Sequence, residues 1–195
     1  MKILLFTHMD QILDYSAYMN GVKKAGPVEA RLLTMGREEL EFALQTGAFD
    51  SVEDILPELS ELDGTGTELA VAASELKALE VRIGSRFVNR DILMDRRFRG
   101  QPALDIDLSR GPLIWTGART TRFMYAIYKR LEAQLVDFEP DLVFVETNSA
   151  PHRMIWRLAN EKGIPAGQFF QGRVWPERLY LETGLGLDWH QARTA

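Results

Sequence analysis

The 195-residue chain contains no cysteine. That excludes a disulfide framework, a thiolate metal site and a cysteine nucleophile, and it fits a reducing compartment. Long apolar runs are missing as well. The opening "MKILLFTHMD" has one Lys and an apolar stretch too short for a signal-peptide core, and no run approaches the length of a membrane span. The expectation is a soluble, cytoplasmic protein. Glycine is missing where a dinucleotide site needs it: "THMDQILD", after the first apolar run, has none. Walker A, GxSxG and HExxH patterns are absent too. Classical dinucleotide oxidoreductase, P-loop NTPase and α/β-hydrolase chemistry are therefore not expected, and no motif asks for a cofactor. Positive charge is short overall. A net charge of −5 argues against a general nucleic-acid binder.

What positive charge there is sits in one place. Residues 1–81 carry a net −9, residues 82–130 a net +7, and residues 131–195 a net −3. A basic middle in an acidic chain has two readings. It pairs with the acidic first part, or it faces an anionic ligand.

Local patterns alternate strand and helix. "KILLFT" and "VEARLLT" are short apolar runs of the kind buried on both sheet faces. Between them Ile12, Tyr15, Met19 and Val22 keep helical spacing up to a Gly–Pro stop, and "GREELEFALQTG" forms a second compact helix. An acidic connection, "SVEDILPELSELDGTG", follows. Thr67 then caps a helix with Leu69, Ala72, Leu76, Leu79 and Ile83 on one face. Another helix is expected from Arg86 to about Phe98, and a strong one over Arg119 to Phe138. Strands at 141–145 and 166–170 flank a helix from Ser149 to Lys162, with Ser149 as its N-cap and Gly163 as its stop. The expected fold is α/β: a Rossmann-like parallel sheet flanked by helices, in a single domain over residues 1–195, with a helical insertion at about 52–135.

In such sheets ligands bind beyond the carboxyl ends of the strands. Three polar loops fall there: "THMD", "ETNSAPH" and "QGRVWPER". His8 has the proton affinity for general-base work or for hydrogen bonding a hydroxyl, and Asp10 follows it. Glu146 can accept sugar hydroxyls or act as a base, and Asn148 can position a ligand. His8, Glu146 and His152 match no metal-ligand spacing, so no metal is expected. Arg173 and Arg178 offer planar forks for phosphate or carboxylate, and Trp175 can stack on a sugar. The basic middle adds Asn89, Arg90 and Arg96. His8 and Glu146 are thus the catalytic candidates; Asp10, Asn89, Arg90, Arg96, Asn148, Arg173 and Arg178 are the substrate-binding ones. Each has a plain structural reading beside it: a capping Asp, a turn-shaping Asn, an Arg paired with a neighbouring carboxylate.

The segments "KILLFTHMD", "FVNRDILMDRRF", "PDLVFVETNSAPHRMIWRLANEKGIPAGQFF" and "QGRVWPERLYLETG" together resemble the N-terminal half of two-domain, Rossmann-type (GT-B) glycosyltransferases. More narrowly, they are similar to bacterial surface or capsular polysaccharide biosynthesis proteins. That resemblance implies an acceptor-binding domain whose C-terminal partner domain, absent from this chain, holds the nucleotide-sugar donor. It implies that the chain is the N-terminal half of a longer protein and is inactive alone. The partners expected are a nucleotide sugar or glycan acceptor and the missing C-terminal domain, with no nucleic acid. Two alternatives stand beside it: a non-catalytic interaction or assembly module that forms a homo-oligomer or docks a partner chain, and a small flavodoxin-like enzyme acting on a phosphorylated metabolite.

Overall fold

A computed structural model describes residues 1–64, 66–83, 88–94, 116–146, 149–171 and 179–182. β1 (Lys2–Phe6) is the central strand. α1 (Ile12–Ala25) leads to β2 (Glu29–Thr34), and α2 (Arg37–Thr46) to β3 (Ser51–Asp54). A helical stretch follows, with α3 (Leu59–Leu62), α4 (Gly66–Ile83), α5 (Val88–Met94) and α6 (Gly117–Phe138). β4 (Leu142–Val145), α7 (Ala150–Glu161), β5 (Ala166–Gln171) and β6 (Leu179–Glu182) complete the order.

The strands form one sheet in the order β3-β2-β1-β4-β5-β6. The first five are mutually parallel, and β6 joins β5 antiparallel. The fold is the expected Rossmann-like α/β sheet. From the centre, the chain winds outward in one direction through β2 and β3, then returns to β4 and winds in the other. Right-handed crossovers in opposite directions require their helices on opposite faces. Two separate cores show this. Ile3 and Leu5 of β1 pack with Ile12, Tyr15 and Met19 of α1 and Ala43 of α2. Leu4 and Phe6, one residue out of phase, pack with Phe123, Ile127 and Leu131 of α6 and with Met154, Ile155 and Leu158 of α7. Strand side chains alternate faces, so an unbroken apolar run is what a strand covered on both sides needs.

Local signals end the helices. Gly47 after α2 and Gly163 after α7 take positive φ of 62° and 71°, which costs a residue without Cβ little. Thr116 caps α6, its side chain accepting from the Arg119 amide at 3.2 Å. Pro140, two residues past the last residue of α6, cannot continue the helix.

Two expectations change. The helical segment read as starting near residue 52 starts later, because Ser51–Asp54 is the third parallel strand, paired with Arg31–Thr34. Its four residues are half-buried or exposed, so the apolar signature of a covered strand is missing from "SVED". Thr67 does not precede its helix, since α4 already includes Gly66. The helical stretch also shares one core with the sheet: Leu76, Leu79 and Val88 belong to the same buried cluster as Leu4 and Phe6. The strand order differs from the 2-1-3-4-5 order of flavodoxin-like sheets. Among the described residues, no helix is long and apolar enough to cross a membrane.

Candidate functional site

The direction of winding reverses between β1 and β4, which are neighbours in the sheet. Loops leaving two such strands diverge to opposite faces and leave a crevice at the carboxyl edge, the usual ligand position in open α/β sheets. The register pairs Phe6 with Val145, so Thr7 and Glu146 are the next residues on each strand. The Glu146 amide reaches back to the Phe6 carbonyl at 3.4 Å. His8 follows Thr7 and opens a 3-10 turn at Met9–Gln11, where the Gln11 amide donates to its carbonyl at 3.0 Å. Both catalytic candidates named from the sequence therefore flank the reversal point.

α7 begins on the same side. Ser149 stands at its N-cap position with extended backbone, and its carbonyl accepts from the Arg153 amide at 3.0 Å. The expected N-cap position is right, but the hydroxyl does not cap an amide. Ser149 Oγ instead shares a hydrogen bond with His152 Nδ1. His152 is fully buried. Phe6 stacks on it with ring centroids 4.0 Å apart, and the His8 ring lies 4.3 Å away, tilted by 54°. His8 keeps 8% of its surface accessible. Two imidazoles and a serine hydroxyl thus gather around the ends of adjacent strands, with Glu146 the residue that follows β4.

A second cluster anchors the same helix from outside. Asp91 on α5 is 1% exposed. Its Oδ1 lies 3.2 Å from Arg153 Nε, and its Oδ2 lies 3.3 Å from Arg157 Nε and Nη2. Arg153 also donates to the Asp91 carbonyl at 3.2 Å. Burial lowers the affinity of Arg157 for its proton; the Asp91 carboxylate opposes this, while Arg90 and Arg153 add to it, and the net effect is downward. Arg90 lies 3.8 Å from Asp91 and is about half exposed.

The basic middle of the chain resolves partly into structure. On α6, Arg119 contacts Asp63 at 2.6 Å, Arg122 donates to the Glu61 carbonyl at 2.6 Å, and Arg130 donates to the Leu56 carbonyl at 2.6 Å. Arg130 also pairs with Glu61. These side chains strap the acidic 55–63 connection onto the helix, which is the pairing reading. Arg82 joins Glu132 and Glu161 at 3.0 and 3.3 Å. Burial raises the Glu132 carboxyl, but Arg82, Tyr128 and Lys129 outweigh it and hold it below the usual range.

Of the substrate-binding candidates, Arg90 reaches this region through Asp91. Asp10 lies in the 3-10 turn after His8 and Asn89 on α5, with side chains outside the described residues. Arg96, Asn148, Arg173 and Arg178 also lie outside them. Sequence reasoning gave Ser149 only a cap and left Asp91, Arg153 and Arg157 unremarked. The available signal was Arg153 and Arg157, four apart in the otherwise apolar "RMIWR", a spacing that places both on one helical face.

No family model matches the chain, and neither a curated protein nor a solved structure matches it significantly.

Proposed function

We propose that this chain is a ligand-binding Rossmann-like domain whose crevice between β1 and β4 receives a hydroxyl-bearing acceptor, with His8 and Glu146 as the groups that meet it. The observation that carries this is the strand order: His8 and Glu146 follow the two neighbouring strands at which the winding reverses. An imidazole and a carboxylate on residues that follow neighbouring strands suit a polyol, since each can accept a proton from a hydroxyl and the imidazole can also donate. In a transfer from a nucleotide sugar either one would take the acceptor proton as the acceptor oxygen bonds the anomeric carbon, the bond from that carbon to the donor phosphate breaks, and the nucleotide leaves with the electron pair.

The finer reading is an acceptor-binding domain of a glycosyltransferase-like protein in bacterial surface polysaccharide biosynthesis. It is supported by the resemblance of the strand-end segments and by a site chemistry suited to hydroxyls.

The test is a heteronuclear NMR titration with a neutral oligosaccharide, a sugar phosphate and a nucleotide sugar in turn. Saturable shifts centred on residues 7–9 and 146–153 are expected. Affinity should fall about tenfold or more, roughly 1.4 kcal/mol, in His8→Ala and in Glu146→Gln. Shifts confined to other parts of the sheet, or no saturable response to any of the three, would refute the assignment.

A further inference from the structure

We propose that Ser149 is a positioning residue that holds His152 in the tautomer carrying its proton on Nε2, and that His152 so oriented is the fixed wall against which His8 meets a ligand. The hydroxyl of Ser149 sits at the start of α7 yet caps no helix amide, and it bonds to His152 Nδ1 instead. Which partner supplies the proton follows from the surroundings. The first amide N–H groups of a helix lack intrahelical acceptors and make the N-cap region electropositive. A ring N–H aimed there is disfavoured, and a ring lone pair is favoured. The serine hydroxyl therefore donates, Nδ1 accepts, and the ring proton resides on Nε2.

His152 has no accessible surface, so the ring is enclosed on every side. The rings against it are Phe6 and His8, from β1 and its loop, and Arg153 is next to it on α7. Asp91 of α5 offsets the charge of Arg153, with Arg157 and Arg90 sharing that carboxylate. Phe6 stacked on the ring and Ser149 bound to one edge leave little freedom to rotate. The His8 ring, 4.3 Å away, thereby rests on a partner of fixed orientation.

The purpose assigned to this arrangement rests on the crevice reading above, but its test needs no ligand. Histidine-selective 15N NMR of the intact chain between about pH 5 and 8 reports the tautomer directly. His152→Asn assigns its resonances. The expected wild-type result is an acceptor-type Nδ1 and a protonated Nε2 on His152 at the alkaline end of that range. Ser149→Ala should lose this single-tautomer signature and displace the His8 ring signals, and Ser149→Thr, which keeps the hydroxyl, should restore both. A protonated Nδ1 that accepts no hydrogen bond in the wild type overturns the proposal by itself, whether or not the Ser149 variants fold. Unchanged His8 and His152 signals in Ser149→Ala overturn it equally. The expected tautomer with no ligand binding refutes the crevice reading alone.

Discussion

Replacing Asp91 by Ala removes the carboxylate that joins α5 to α7. At 3.2–3.3 Å, each of the two guanidinium contacts is worth roughly 5 kcal/mol at an effective dielectric of about 20, before desolvation is charged against it. Most of that gross attraction offsets the cost of taking three charges out of water. Removing one partner leaves the desolvation cost in place while deleting the attraction, so the expected net loss is about 3–5 kcal/mol. For a chain of this size that corresponds to a fall in Tm of about 6–20 °C. Urea unfolding followed by the fluorescence of Trp156, which is 1% exposed and adjacent to Arg157, provides the measurement. The midpoint should fall with little change in slope. Asp91→Asn, which keeps hydrogen-bonding atoms but loses the charge, should lie between Ala and wild type. Asp91→Leu combined with Arg153→Met and Arg157→Met should recover most of the loss, because a well-packed apolar set carries no desolvation cost. A loss below about 1 kcal/mol in Asp91→Ala would refute the view that this carboxylate offsets two buried cations.

Two other outcomes follow from the packing and the surface charges. Leu131 is fully buried where α6 meets the sheet, so Leu131→Ala should cost about 2–5 kcal/mol in the same urea assay. Asp50 accepts from the Ala30 amide and pairs with Lys23, at 2.7 and 2.8 Å. Partial burial raises its carboxyl, but the Lys23 hydrogen bond and charge and the Ala30 amide outweigh it, and the net effect is downward. The folded state therefore favours the ionised form. Its contribution is complete above the unfolded value near 3.8 and is lost as pH falls below that through the folded one. Asp50→Asn should be less stable by about 0.5–1 kcal/mol at neutral pH, and the difference should shrink as pH falls below the unfolded value.

The parallel strands of the central sheet were legible because burial on both faces leaves a plain trace. "KILLF", "ARLLT" and "LVFV" are apolar where the two cores require it, and Gly47 and Gly163 mark turns that need positive φ. β3 was not legible, because an edge strand with half-exposed residues has no reason to be apolar. Strand order is not encoded in local periodicity either. The neighbourhood of His8 and Glu146 could be expected from their strand ends, but the reversal between β1 and β4 emerges only once the order is known. Ser149 and His152 illustrate a different limit. Their spacing fits both an ordinary N-cap and a hydroxyl–imidazole pair, and the direction of one side chain decides between them. Asp91 was hidden for a related reason: a carboxylate on a basic helix reads as a solvated charge until a partner 62 and 66 residues away is seen to face it.

α7 is enclosed around its whole circumference, with every residue from Ala150 to Ala159 buried. A typical surface helix tolerates a one-residue insertion by turning its altered segment toward water. Here an insertion would rotate everything beyond it by about 100° with no solvent side to absorb the error. Placed between His152 and Arg157, it would set the imidazole end and the guanidinium end at odds, so that only one could keep its partner. Length variation in this protein should accordingly be borne by the connections outside α7, while the helix itself keeps a constant count of residues.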